Sequence, residues 1–128
     1  MSAFSAVTNH NALDPKLREL VKIRASQING CAYCLNMHSR DALAIGETQQ
    51  RIFVLSAWRE TTLFSDIERA ALAVTEALTK LGDHGLPDGI YAEARKYFDE
   101  HDFMSLVLVI GAINAWNRLM ISVNADLD

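Results

Sequence analysis

The chain has 128 residues and a mass of 14.2 kDa, the size of one domain that can bury a core without disulfides. Half of it is apolar, and six glycines with two prolines fall well below the roughly 12% of average usage, which argues against a disordered chain and a turn-rich all-β domain. Twelve basic against sixteen acidic side chains give a formal charge of −4, and no basic run is present to track a phosphate backbone, so nucleic acid is not expected as a partner.

Residues 1–12 are expected to form an arm or a short helix, with one all-α domain following over residues 13–125. The opening MSAFSAVTNHNALDP carries no Lys or Arg and no long apolar block, so it does not read as a secretory signal, and a cytoplasmic location is expected. Leu13, Leu17, Leu20, Val21 and Ile28 recur at helical steps and predict a first helix from about Asp14 to Ile28, stopped by Asn29 and Gly30. A second helix is expected from Cys31 to Ile45, capped by Asn29 or Gly30 and left through Gly46; the two form a hairpin. Thr48 to Arg59 reads as a third helix with Ile52, Phe53, Leu55 and Ser56 inward. Ser65-Asp66-Ile67-Glu68 is a capping box, and Ile67, Ala71, Val74, Leu78 and Leu81 predict one apolar seam along the helix it opens.

The segment Gly82 to Pro87 is a loop by composition. Ile90, Tyr91, Ala94, Tyr97 and Phe98 mark the next amphipathic helix, and Asp102 is placed to cap a last one from Phe103 to about Val123. Its apolar stretch, Phe103 to Trp116, is broken by Ser105 and Asn114 and is shorter than the ~20 residues that cross a bilayer, so no membrane association is expected. Being apolar on every side through Ile113, this helix is expected at the centre of the bundle or shared with a second subunit. No strand alternation, repeat or linker interrupts the helical pattern.

The chemistry-bearing feature is Cys31-Ala32-Tyr33-Cys34-Leu35-Asn36-Met37-His38, a C-x-x-C with His four residues on. At about 100° per residue, Cys34 lies about 60° from Cys31 and His38 between them, so all three share one narrow helix face. Unpaired amides at a helix start favour thiolate over thiol, and an imidazole one turn on can accept a proton from Cys34 directly or through water. The sulfurs are close enough to form a disulfide after small adjustment, and the face suits peroxide reduction or dithiol exchange.

Three other readings stand beside this one. Cys31, Cys34 and His38 could ligate a structural zinc, but zinc wants four ligands and His10, His84 and His101 lie in segments without ligand spacing, so no metal is expected. Both cysteines could be small core residues. A thioredoxin-like C-x-x-C needs a βαβ context that the helical pattern lacks. Trp58 with Arg59, and Trp116 with Arg118, read as packing anchors with paired guanidinium groups. Glu60 and Glu68 read as caps or surface charges, and His84 and His101 as solvated.

The stretch LRELVKIRASQINGCAYCLNMHSRDALAIGE, with LSAWRETTLFSDIERAALAVTEALT and INAWNRL after it, resembles the alkylhydroperoxidase D group of the carboxymuconolactone decarboxylase superfamily. The likeness runs from about Leu13 to Val123 and joins C-x-x-C-x-x-x-H to Glu19, twelve residues before the first Cys. It implies an all-helical subunit that assembles into trimers or hexamers. It also implies a peroxidase without a bound cofactor, whose dithiol cycles to a disulfide and is recycled by a lipoyl- or thioredoxin-like dithiol protein. The catalytic residues it implies are Glu19, Cys31, Cys34 and His38, with Cys34 attacking the peroxide and Cys31 resolving; helix-dipole physics alone favours Cys31 as the more acidic sulfur. The best-known members have a His between the cysteines, where this chain has Ala32 and Tyr33. Periodicity alone makes Glu19 an ordinary surface carboxylate, since Ile23 and Ser26 one turn on lie at the edge of the apolar stripe; the resemblance moves it inward. The competing functional reading is a redox module or assembly subunit whose dithiol relays oxidation without turnover.

Overall fold

The computed structural model describes residues 13–127, which are helical with no strand among them; the expected arm or short helix at residues 1–12 lies outside this range. Helix α1 spans Pro15–Asn29. The Asp14 side chain accepts a hydrogen bond from the Leu17 amide, and Pro15, which has no N–H to satisfy, begins the first turn. Gly30 ends it at φ 73°, a left-handed position that glycine takes without a Cβ clash.

Helix α2 follows over Ala32–Ala44, one residue later than expected, because Cys31 itself is the cap residue in place of Asn29 or Gly30. The expected third helix is broken into α3, Gln49–Phe53, and a 3₁₀ segment, Leu55–Glu60, with non-helical backbone at Ala57. The break turns Leu55 and Trp58 into the core and leaves Phe53 and Ser56 outside, against the sequence expectation for both. The capping box opens α4, Asp66–Thr79, with both reciprocal bonds formed: Ser65 accepts from the Glu68 amide and Glu68 from the Ser65 amide. Its seam is buried at Ala71 and Val74, while Ile67 and Leu81 at the ends are exposed. Helix α5, Asp88–Arg95, stops before Tyr97 and Phe98, and the Arg95 guanidinium bonds the Phe98 carbonyl to hold the turn that follows. Helix α6, Glu100–Ser122, starts three residues ahead of expectation because Asp99, not Asp102, caps it; the Asp99 carboxylate accepts from the Asp102 amide.

Helix α1, rather than α6, is the central element, packing against α2, α4 and α6. Leu17 and Val21 enter one core cluster with Ala71, Val74, Phe103, Leu106 and Val109, while Leu20 and Ile23 enter a second with Ala42, Leu55, Trp58 and Leu72. Each such side chain withdrawn from water contributes roughly 1.5–3 kcal/mol, which makes α1 the element whose displacement would cost both clusters at once. At 23 residues α6 is long and apolar enough to cross a membrane by length and composition, because the whole helix outruns the stretch from Phe103 to Trp116. In the domain it is a core helix on one side only: Phe103, Leu106, Val109, Ile110 and Ile113 are buried, whereas Met104 and Leu108 are each 51% exposed.

Candidate active site

The turn between α1 and α2 delivers both cysteines. Gly30 and Cys31 donate their amides to the Ser26 carbonyl, at 2.8 and 3.1 Å, which folds the chain back sharply. A buried polar network ties that turn to α6. Asn117, fully buried, donates to the Ser26 hydroxyl at 2.9 Å, and Asn29 donates to the side-chain oxygens of Asn114 and Asn117, each at 2.9 Å. Buried amides and hydroxyls are tolerated only when paired in this way, and the pairing fixes where Cys31 begins. Cys31 and Cys34 are joined as a disulfide with Cα atoms 5.3 Å apart, and the Cys31 sulfur accepts the Cys34 amide at 3.2 Å. The dithiol therefore sits at a helix start, with the Cys31 sulfur on a first-turn amide, where negative charge on sulfur is favoured in the reduced state.

His38 lies one turn past Cys34, and its Nδ1 meets Glu19 Oε1 of α1 at 3.0 Å. Both residues are buried, each 8% exposed, so the surface position that periodicity suggested for Glu19 is overturned by the packing of α1 against α2. With a carboxylate at Nδ1, that nitrogen carries the proton of the neutral ring and Nε2 is left as the accepting nitrogen. The second oxygen of Glu19 pairs with Lys22 Nζ at 3.3 Å. Burial alone pushes the Glu19 carboxyl up, but the hydrogen bond from His38 and the charge of Lys22 outweigh it and hold the group below its ordinary value. Asp41 approaches His38 Nδ1 at 3.9 Å from the more exposed side.

Glu19, Lys22, Cys34, His38 and Asp41 line one cleft of about 260 Å³, walled on the apolar side by Met37, Ala112, Ile113, Trp116 and Met120. Cys31 lines a second depression of about 140 Å³ with Ile121, Asn124 and Ala125, which meets the first cleft at Tyr33 and Met120. Sequence reasoning missed Lys22, whose signal was its place three residues after Glu19, and assigned Trp116 to packing with Arg118. Arg118 instead bonds Asn114, and Trp116 forms part of the cleft wall. Trp58 does carry guanidinium groups over its ring, Arg59 at 4.0 Å and Arg69 at 5.3 Å. Glu68 both caps α4 and pairs with Arg51, and His84 and His101 are exposed.

Glu19, His38 and Asp41 bring potential ligand atoms within 4.8 Å of one another, a grouping the sequence did not suggest. The Lys22 ammonium already stands 3.3 Å from one of those carboxylates, so a cation there meets like charge. The zinc reading of Cys31, Cys34 and His38 does not suit sulfurs joined to one another, because metal binding uses the thiolate.

The model of the carboxymuconolactone decarboxylase family matches residues 2–77. The chain belongs to that family. A protein of Bacillus subtilis (strain 168), YdfG, is 44% identical over 115 residues, covering 90% of this chain and 78% of YdfG, and is itself uncharacterised. A crystal structure of a protein of unknown function from Agrobacterium tumefaciens, proposed to be the antioxidant defence protein AhpD, superposes with a TM-score of 0.95 at 33% identity, covering 99% of this chain and 87% of that one. The debrominase Bmp8 has a TM-score of 0.86 at 19% identity, covering 99% and 70% of the two chains, a likeness of fold alone. The architecture is thus alkylhydroperoxidase D-like, with the C-x-x-C at the start of the second helix, and the paired cysteines are consistent with a redox role. The family includes enzymes, and its members differ in what they do.

Proposed function

We propose that the protein is a thiol-dependent peroxidase that reduces hydroperoxides through a Cys31–Cys34 dithiol cycle. The observation that carries this reading is the shared cleft, lined by both Cys34 and a His38 already oriented by Glu19. In the reduced protein His38 Nε2 takes the Cys34 proton, and the thiolate attacks the terminal peroxide oxygen. The O–O bond breaks, the departing alkoxide takes a proton from the imidazolium, and Cys34 becomes a sulfenic acid. The Cys31 thiol then attacks that sulfur, the S–S bond forms and water leaves. A dithiol protein of lipoyl or thioredoxin type supplies the two electrons and two protons that reopen the disulfide. The second depression, lined by Cys31 and not by Cys34, supports an approach for that reductant from the Cys31 side.

A cytoplasmic location belongs to the same reading, since a cycling dithiol needs a reducing pool. So does self-association: Met104, Leu108 and Leu119 put large exposed apolar side chains on one helix, a surface that a trimer or hexamer would cover. The alternative, a redox module without turnover, draws on the burial of both cysteines at 1% exposure. Variants at the two sulfurs test the assignment. Cys34→Ser is expected to abolish peroxide consumption, whereas Cys31→Ser is expected to consume about one equivalent and stop as a sulfenic acid, trapped by dimedone. Equal loss of the first turnover in both variants overturns the roles.

A further inference from the structure

Lys22 is a lysine in the wrong place for stability. Lys16, Lys80 and Lys96 are exposed, but Lys22 is 5% exposed and lies on α1 among Leu20, Val21 and Ile23, the side chains that tie the two core clusters. A buried lysine is rare unless paired, and exchanging a buried ion pair for apolar side chains of similar volume is often neutral or stabilising. The pair Lys22–Glu19 is therefore not explained by folding energy, and its position on the wall of the Cys34 cleft offers another reason for it. Among the described residues, Glu19 is the one ion-pair partner of Lys22, and it divides its two oxygens between Lys22 Nζ at 3.3 Å and His38 Nδ1 at 3.0 Å.

We infer that Lys22 is a positioning residue of the relay: it draws the Glu19 carboxylate partly onto itself, so that His38 stays neutral with Nε2 as its accepting nitrogen. This rests on the peroxidase reading for its purpose but not for its test. A carboxylate facing an imidazole alone in a buried site stabilises the imidazolium, which has no lone pair with which to take the Cys34 proton. A cation at the carboxylate's other oxygen opposes that charge. The groups that share the cleft with His38 are few. From α1 they are Glu19 and Lys22, from its own helix Tyr33, Cys34 and Asp41, and from α6 the cleft wall is uncharged, with Ala112, Ile113, Trp116 and Met120. Lys22 is the one basic side chain in the cleft besides His38.

The test is an NMR titration of the His38 ring signals in the oxidised, disulfide form of the full chain, where no thiol titrates and no peroxide is needed. Lys22→Met is expected to move the His38 midpoint up by about one pH unit relative to the parent protein, the size expected for removing a like charge held across one carboxylate. Lys22→Arg, which keeps the charge, is expected to hold the midpoint near that of the parent. If Lys22→Met does not fold, Lys22→Gln makes the same charge change with a polar side chain that can still bond Glu19. An unmoved or lowered midpoint in the neutral variant overturns the inference, as does a shift in Lys22→Arg equal to that in the neutral variant. A lysine that only fills space, with its charge not felt at His38, would leave the midpoint where it is. Because the readout involves no turnover, a protein that fails as a peroxidase still answers the question about Lys22.

Discussion

Replacing Glu19 by Gln keeps its shape and an acceptor for His38 Nδ1 but strands the Lys22 ammonium, and the consequence can be worked through. At 3.3 Å and an effective dielectric near 20, the gross attraction of the pair is about 5 kcal/mol. Most of that offsets the cost of taking the two charges from water, so the pair as a whole is close to neutral for stability. Removing one partner is different, because the other charge stays behind with its desolvation uncompensated. With side chains 7% and 11% exposed, the loss should be about 3 kcal/mol, at the low end of the range for a broken buried pair because the cleft gives the ammonium some access to water. Out of a total stability of roughly 5–15 kcal/mol, that leaves the variant folded at 25 °C with its helix content intact. In urea, with a slope of about 2 kcal/mol/M, the midpoint should fall by about 1.5 M. The assay is equilibrium unfolding followed by circular dichroism at one fixed protein concentration, since any assembly makes stability depend on concentration. The double variant Glu19→Gln, Lys22→Met removes the stranded charge and should recover to within about 1 kcal/mol of the parent. A Glu19→Gln protein within about 0.5 kcal/mol of the parent, or a double variant as unstable as the sum of the singles, would refute the buried pair.

Acid should unfold the protein partly through the same group. Glu19, Glu68 and Glu76 are all held below the ordinary value of 4.5, each against burial, by His38 and Lys22, by Arg51, and by Arg59 and Arg24 respectively. A carboxyl with a lowered folded value lends stability that is present above its unfolded value and lost as the pH falls through the folded one. Stability should therefore be flat above about pH 5 and decline below it, with a shallower decline in Glu19→Gln; an equally steep decline in that variant counts against Glu19. Light scattering at micromolar concentration should give a mass that is a multiple of 14.2 kDa, and Leu108→Glu on the exposed side of α6 should lower it. A mass of one chain for the parent protein rejects assembly through that helix.

The helices that were legible in the sequence are those whose ends are set locally. Asp14-Pro15 and Gly30 bound α1, and the Ser65–Glu68 box opens α4, because caps act within one turn and leave a mark in the chain. The segment after Thr48 was misread because distant groups shape it: Trp58 Nε1 donates to Glu76 at 3.0 Å, and Arg69 bonds the carbonyls of Trp58 and Thr61, both at 3.0 Å. No window of a dozen residues contains both ends of the Trp58–Glu76 bond. At the candidate site, the C-x-x-C and His38 were visible because one helix start carries them. Glu19 was reached through the family resemblance alone and Lys22 not at all, because the rule that polar residues face water fails where a helix turns its polar side toward a cleft instead. The central place of α1 was hidden for the same reason: buried Glu19, Lys22 and Ser26 make its apolar stripe look narrow. By contrast, α6 reads as apolar on every side through Ile113, yet nine of its 23 residues are exposed, Met104 and Leu108 among them.

The central claim is that Cys31 and Cys34 convert a hydroperoxide to an alcohol by one two-electron cycle, and thiol counting measures it most directly. Fully reduced protein is mixed with less than one equivalent of an organic hydroperoxide, and residual peroxide and free thiol are quantified together at early times. Two thiols are expected to disappear for each peroxide consumed, with the Cys31–Cys34 disulfide as the product and a rate well above that of a small free dithiol at the same concentration. Peroxide consumed no faster than by the small dithiol, or thiols lost without a Cys31–Cys34 bond, would contradict the account.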